Sequence, residues 1–365
     1  MSNETSNQQA QMLRGTVWLT ASNFISRLLG AAYIIPWYIW MGKHGAEANG
    51  LFTMGYNIYA WFLLISTAGV PVAVAKQVAK YNTKGQEEHS FAMIRGFLKF
   101  MSLLGLVFAI IMYVLSPVFA NLSGGGKDLI PVMQSLSWAV LIFPSMSVIR
   151  GFFQGHNNLK PYAISQIAEQ VIRVIWMLLT AYFIMKVGSG DYVEAVTQST
   201  FAAFIGMGAS LLVLVYYLWK TGLLQHIIHR PESDSQIDTK ALLWDTIREA
   251  IPFIVTGSAI QLFQIIDQMT YSNVMSWFTN FTRSELLVQF SYFLIAVATS
   301  IGGVGIPLLT ENYVKGDFRA AGKLVQDNLT MLVAFLLPAT IGAVAIAEPL
   351  YTVFYGKPDS LALGL

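Results

Sequence analysis

The sequence has 365 residues, of which 55% are hydrophobic and only 12% are charged, against about 25% charged residues in ordinary soluble domains. This composition leaves too little polar material to cover a water-soluble surface. The 22 basic and 20 acidic residues give a net charge of +2, which argues against nucleic-acid binding. The sequence contains no cysteine, which excludes disulfides, thiolate metal clusters and cysteine nucleophiles within it.

Apolar stretches long enough to cross a membrane recur along the whole chain. A membrane-spanning helix needs about 20 predominantly apolar residues, and nine stretches meet this requirement, six of them without any charge. We therefore predict an all-α polytopic membrane protein. The nine helices are predicted near residues 17–41, 48–75, 100–126, 129–149, 162–185, 195–219, 250–275, 286–310 and 328–347.

The distribution of charge predicts the orientation. The first apolar stretch is too long for a cleaved signal peptide and is expected to remain as the first span. Basic residues on the N-terminal side of the membrane outnumber those on the other side by roughly three to one, which predicts a cytoplasmic N-terminus. This count places Arg150 in a cytoplasmic loop.

A charged connection divides the chain into two parts. Residues 1–219 hold six predicted spans and form an N-terminal lobe, residues 220–248 form a cytoplasmic linker with a short interfacial helix, and residues 249–365 hold three spans of a partial C-terminal lobe.

A short internal repeat supports this division, because Gly-Val-Pro and Gly-Ile-Pro occur at equivalent ends of the second and eighth spans. Parallel repeats of this kind place a transport site between two halves. The four residues, Gly69, Pro71, Gly305 and Pro307, are predicted to act either as hinges or as sites of close helix packing.

Arg27 is the most conspicuous polar residue inside a predicted span. An arginine at the centre of a membrane helix costs about 2.5–3.5 kcal/mol on insertion scales, so it needs a partner or a use. Asn23 and Ser26 lie near it on the first span, and together they predict a wet cavity in which the guanidinium binds phosphate. The alternative is that Arg27 snorkels or pairs with an acidic residue.

A second polar face lies on the fifth span. Gln166, Glu169, Gln170 and Arg173 share one side of a helix, near what we expect to be its cytoplasmic end. Glu169 and Arg173 are spaced as a favourable i, i+4 ion pair. The face is predicted either to contact substrate or to pack against another helix.

The seventh span carries Gln264 and Asp267 on a polar face. The repeat places Asp267 near the depth that Arg27 occupies in the first half. We hypothesise that the two form a switchable ion pair and that Gln264 and Asp267 serve coupling.

The sequence gives no positive indication of an enzyme. It has no phosphate-binding loop of the Gly-x-x-x-x-Gly-Lys-[Ser/Thr] type, all five histidines fall in predicted loops, and no metal site or cofactor is predicted.

Several motifs resemble a known family. These are Ser26-Arg27-Leu-Leu-Gly30; Thr67-Ala-Gly-Val-Pro-Val-Ala-Val-Ala-Lys76; Arg150-Gly-Phe-Phe-Gln-Gly155; and Ser165-Gln-Ile-Ala-Glu-Gln-Val-Ile-Arg173. They resemble the polysaccharide-type flippases of the multidrug/oligosaccharidyl-lipid/polysaccharide (MOP) superfamily. Within that group the sequence is similar to the Gram-positive branch of MurJ-like lipid II flippases and stage V sporulation protein B.

The resemblance implies a V-shaped bundle of two six-helix lobes in the bacterial cytoplasmic membrane, followed by extra helices, so that the chain looks like the first two thirds of such a protein. It implies alternating access that moves an undecaprenyl-pyrophosphate-linked cell-wall precursor, with Arg27 contacting the pyrophosphate. Tyr33 stands where a second arginine is often found in the family. Membrane potential, H⁺ or Na⁺ would drive transport. A monomer and contact with the cell-wall synthesis machinery are further expectations.

Three other functions stay open at this stage. The first is an ion-coupled exporter of amphiphilic small molecules of the multidrug extrusion type. The second is a membrane-embedded glycosyltransferase or ligase that acts on the same lipid, and the third is a scaffold for division proteins.

Overall fold

The computed structural model describes most of the first 228 residues and scattered positions beyond them. The described positions are 18, 21–26, 28–30, 32–67, 69–228, 241, 244, 247–248, 251, 261–262, 264–266 and 268–270. All of them belong to one compact unit, Met1–Leu287. Arg27, Asp267, Gly305 and Pro307 lie outside the described residues, and so do the eighth and ninth predicted spans.

The described chain is helical and contains no strand. Between residues 34 and 228 its α-helices are α1 (Ile34–Met41), α2 (Gly45–Thr67), α3 (Val70–Thr83), α4 (Glu87–Val114), α5 (Ser116–Leu122), α6 (Gly126–Gly155), α7 (Leu159–Tyr182), α8 (Tyr192–Lys220) and α9 (Leu223–Ile228). A 3₁₀ turn joins α1 to α2, and one π-helical turn, Phe183–Val187, extends α7.

Five stretches of the described chain are long and apolar enough to cross a membrane, which confirms a multi-pass membrane protein. They are Ala21–Thr83, Glu87–Val114, Gly126–Gly155, Leu159–Val187 and Tyr192–Lys220. The first combines the first two predicted spans, so the five account for the six spans predicted within residues 1–219. The total of nine spans and the three-part division of the chain stay predictions.

The third span begins earlier than the sequence predicts. The helix starts at Glu87 and ends at Val114, whereas the uncharged stretch runs over residues 100–126. Arg95 and Lys99 lie within the helix, in the half that begins at Glu87 and is predicted to be cytoplasmic, so their long side chains can extend toward that end. The helix stops before Pro117, which opens the separate α5.

The chain breaks between α2 and α3, at the first of the two predicted hinge sites. Gly69 has φ of +77°, a left-handed conformation that favours glycine, and Pro71 follows in the first turn of α3. Gly69 and Pro71 thus allow α2 to end and α3 to begin without a long loop between them. Whether the chain bends there during function stays a prediction.

The two glycines of the Arg150-Gly-Phe-Phe-Gln-Gly155 motif lie where α6 touches the backbone of α3. A Cβ atom added at Gly151 would lie 2.6 Å from the carbonyl oxygen of Pro71, and one at Gly155 would lie 2.7 Å from that of Ala75. The backbone of α3 therefore packs directly on α6, which only glycine allows at these two positions.

Gly206 allows the same close approach between α8 and α7. Its added Cβ would lie 2.6 Å from the carbonyl oxygen of Glu169, whereas one at Gly208 would meet nothing within 4 Å. We expect Gly206→Ala to lower the melting temperature of the purified protein by several degrees, because α8 must move away from α7. The control, Gly208→Ala, should melt at or above the wild-type temperature, and equal melting of the two variants would contradict this packing.

Candidate functional site: a cationic cavity in the helix bundle

A cavity of about 280 Å³ lies between the first predicted span, α2 and α7. Its walls combine aromatic rings, a guanidinium and a side-chain amide. The lining residues are Gly30, Tyr33, Phe52, Thr53, Tyr56, Gln170, Arg173 and Met177. This volume is close to the lower end of the range of about 300–1,000 Å³ for small-molecule pockets. The cavity therefore has room for a polar headgroup but not for a whole lipid-linked sugar.

Glu169 connects two arginines in the interior of the bundle. Its Oε2 accepts a hydrogen bond from Arg150 Nη2 at 2.8 Å, and its Oε1 accepts one from Arg173 Nη2, also at 2.8 Å. Glu169 and Arg150 are each 7% exposed, so both hydrogen bonds lie in a poorly solvated environment. We call these three residues the Arg–Glu–Arg cluster. Two guanidiniums share one carboxylate, so the cluster carries one net positive charge.

Arg173 is the member of the cluster that lines the cavity. It lies at the middle of the 29-residue span Leu159–Val187 rather than near one end of it. Its side chain is 22% exposed, and its buried Nε has no hydrogen-bond partner among the described residues. A guanidinium that lines a cavity can bind an anion there through its charge and its planar set of N–H donors.

Aromatic residues form part of the cavity wall. Phe52 and Tyr56 stack with their ring centroids 4.5 Å apart, and the side chain of Tyr56 also interacts with Arg173. Trp37 packs edge-on against Phe52 and donates a hydrogen bond from Nε1 to Ser199 Oγ at 2.9 Å. These contacts fix the wall, because each ring is held by a neighbour on another part of the bundle.

The first predicted span reaches the same face of α7. Gln166 Nε2 donates a hydrogen bond to Asn23 Oδ1 at 2.9 Å, and Gln166 Oε1 accepts one from Ser22 Oγ at 3.1 Å. Ser26 Oγ is buried without a hydrogen-bond partner among the described residues. The structure thus brings Asn23 next to the polar face of α7. Residues on both helices must lie close together if they are to contact one substrate. The position of Arg27 relative to them stays a prediction.

A second polar cluster joins Gln261 and Gln268 to α2. Gln268 is fully buried, and its Oε1 accepts a hydrogen bond from Asn57 Nδ2 at 3.0 Å. Gln268 Nε2 donates to Ser123 Oγ at 2.9 Å, and Gln261 Nε2 donates to the carbonyl oxygen of Asn57 at 3.2 Å. We call Asn57, Gln261 and Gln268 the amide cluster. Because Ser123 follows α5, the cluster lies toward the end of the bundle that the charge distribution predicts to face outward.

The structure corrects one assignment made from the sequence. Arg150 is buried in the last turns of α6 and is not in a cytoplasmic loop, because Glu169, Ser165 and Ser210 satisfy its guanidinium inside the bundle. The Arg150-Gly-Phe-Phe-Gln-Gly155 motif is a signal for this burial, since its two glycines mark a helix segment in close contact with another helix. Gln264 is half-buried among helical residues 264–266, and its coupling role stays a prediction.

Comparison with known proteins decides the family. The family model described as polysaccharide biosynthesis protein matches residues 12–276, which cover the cavity, the Arg–Glu–Arg cluster and the amide cluster. The chain belongs to the polysaccharide biosynthesis protein family. The membership predicted from the sequence motifs is thereby confirmed.

Two proteins of Bacillus subtilis (strain 168) are similar to this chain over most of its length. The protein named lipid II flippase MurJ is 35% identical over 365 residues, which cover 95% of this chain and 66% of the relative. Stage V sporulation protein B is 23% identical over 320 residues, which cover 88% of this chain and 54% of the relative. The chain thus spans somewhat less than two thirds of the length of these relatives.

A solved structure confirms the fold of this family member. It is described as the inward-facing conformation of a multidrug resistance MATE family transporter of the MOP superfamily. The TM-score is 0.64 at 15% sequence identity, and the match covers 91% of this chain and 74% of the other. The predicted MATE-like architecture of the polysaccharide biosynthesis protein is therefore confirmed at the level of the fold.

Proposed function

We propose that the protein is a transporter, not an enzyme, that flips an undecaprenyl-pyrophosphate-linked cell-wall precursor across the cytoplasmic membrane by alternating access. The precursor is lipid II or a similar lipid-linked oligosaccharide. The protein would act as a monomer with a cytoplasmic N-terminus, and membrane potential or an ion gradient would drive it. The name of the 35% identical relative supports this substrate class.

The observation that carries the proposal is the charge of the cavity. Arg173 lines it and belongs to a cluster with one net positive charge. A diphosphate carries negative charge on oxygens that accept the hydrogen bonds a guanidinium offers. The volume of about 280 Å³ fits a diphosphate and leaves the sugar and the prenyl chain outside the cavity.

The same charge argues against one rival. An exporter of cationic amphiphiles would need a neutral or negative cavity, since a buried like charge repels its substrate. The likeness to a multidrug transporter fold does not decide between the two functions, because one fold supports many functions.

The test is rescue of a Bacillus strain from which its lipid II flippase is depleted. We expect the protein expressed from its natural gene to restore growth, and its Arg173→Met variant to restore less than about a hundredth of the colonies at equal membrane levels. Arg27→Ala should fail in the same way. Lys186→Met removes an exposed cation at the end of the same span and should rescue fully.

Three outcomes would count against the proposal. Failure of the unaltered protein to rescue would favour the exporter or the scaffold. Full rescue by Arg173→Met would remove this arginine from substrate binding, and equal failure of Lys186→Met would show that the assay responds to any loss of charge.

A further inference from the structure

Arg150 is held too firmly to contact a ligand in the cavity. Its Nη2 donates hydrogen bonds to Glu169 Oε2 and Ser210 Oγ, both at 2.8 Å, and its Nε donates to Ser165 Oγ at 3.2 Å. Its guanidinium carbon lies 5.4 Å from the ring centroid of Tyr162. Arg150 is 7% exposed and does not line the cavity. Any effect of Arg150 on a ligand therefore comes from its charge or from the residues it holds, and not from direct contact.

Glu169 is the residue through which Arg150 can act. Each carboxylate oxygen of Glu169 accepts a hydrogen bond from one guanidinium. Without Arg150, Glu169 and Arg173 would form an ion pair with no net charge. An anion entering the cavity would then be attracted by Arg173 and repelled by Glu169 to nearly the same extent.

We propose that Arg150 is a positioning residue that sets the charge of the cavity: it neutralises Glu169 and so leaves the positive charge of Arg173 available to the diphosphate of the substrate. This inference rests on the proposed function, since it concerns the same cavity. Glu169 thus holds the Arg173 guanidinium in place, and Arg150 keeps the negative charge of Glu169 from cancelling the positive charge of Arg173.

A purely structural role for Arg150 makes the opposite prediction for one double variant. Arg150→Met alone leaves a neutral pair, whereas Arg150→Met combined with Glu169→Gln restores one net positive charge. If Arg150 acts through charge, Glu169→Gln should restore the binding that Arg150→Met alone has lost. If Arg150 only supports packing, removing a second buried polar partner should lower the stability of the protein and its binding of pyrophosphate further.

The experiment measures binding of inorganic pyrophosphate to the purified full-length protein in detergent by titration calorimetry at low salt. We expect Arg150→Met to weaken binding about tenfold or more, and the double variant to bind within about threefold of the wild type. Arg150→Lys keeps the charge and should also bind within about threefold. Lys186→Met should bind like the wild type, and a thermal melt of each sample verifies folding.

Several results would overturn the inference. They are a folded double variant that binds as weakly as Arg150→Met, a folded Arg150→Lys variant that has lost binding, or undiminished binding by Arg150→Met. If Arg150→Met does not fold, the Arg150→Lys and double variants still decide, because both must bind like the wild type.

The failure of this inference is distinguishable from failure of the proposed function. Rescue of flippase depletion without any binding of pyrophosphate would overturn the charge role and leave the flippase standing. Binding that depends on Arg150 in this way, without rescue, would support the charge role and refute transport of the lipid II type.

Discussion

Replacing Glu169 with leucine is expected to cost about 3–5 kcal/mol of unfolding free energy, the largest loss we anticipate for a single substitution. The change leaves Arg150 and Arg173 close together in the bundle with no carboxylate between them. Each guanidinium then loses its strongest hydrogen bond and gains a like charge as its neighbour. Denaturant unfolding in micelles measures the loss, and a reduced yield of folded protein in membranes should accompany it.

Gln166→Leu is the matched control for Glu169→Leu. Gln166 lies one turn earlier on α7 and makes two side-chain hydrogen bonds, to Asn23 and Ser22, but carries no charge. Its loss should cost about 1–3 kcal/mol, the ordinary contribution of two hydrogen bonds. Equal losses for the two variants would show that charge in the Arg–Glu–Arg cluster adds nothing to stability.

Cross-linking the amide cluster is expected to stop transport. If the protein works by alternating access, we expect Gln261 and Gln268 to separate from α2 whenever the predicted outer end opens, which breaks the hydrogen bond between Asn57 and Gln268. Asn57→Cys combined with Gln268→Cys allows a short bifunctional thiol reagent to prevent this separation. The 365-residue sequence contains no cysteine, so the two introduced thiols are the only ones in it. We expect at least about a tenfold loss of rescue or flipping after cross-linking, and recovery after reductive cleavage of the link.

Ser102 and Ser145 provide the control pair. Their hydroxyl oxygens lie 2.8 Å apart, on α4 and α6. Both helices belong to the predicted N-terminal lobe, so a cross-link between Ser102→Cys and Ser145→Cys should leave transport intact. Unimpaired transport by the cross-linked Asn57–Gln268 variant would show that this contact persists through the cycle.

The sequence predicted the local features of the site well. The spacing of Gln166, Glu169, Gln170 and Arg173 indicated a single helical face, and the predicted i, i+4 ion pair is present at 2.8 Å. Of the two predicted roles of that face, packing is observed, because Glu169 contacts Arg150 on another helix. Arg173 lines a cavity, and its contact with substrate stays a prediction. Helical periodicity carries this information, since it relates residues three and four positions apart.

Contacts between helices could not be derived in the same way. Arg150 and Glu169 are 19 residues apart on different helices, and Asn57 and Gln268 are 211 residues apart. No local pattern relates such residues, because their distance depends on how whole helices pack. A charge at the end of a long apolar stretch is typical of a helix end in water, so Arg150 was counted among loop residues.

If Gly69 acts as the predicted hinge, α2 would move as a rigid arm about it. On one side of this residue, α3 is seated on α6 where Gly151 and Gly155 let the backbones touch, whereas α2 extends for 23 residues on the other side. At a rise of 1.5 Å per residue, Asn57 lies about 18 Å along this arm from Gly69. A tilt of about 10° would swing Asn57 by about 3 Å, as much as the 3.0 Å that joins it to Gln268. A small rotation at Gly69 would then suffice to break the hydrogen bond between Asn57 and Gln268 while α3 keeps its contact with α6.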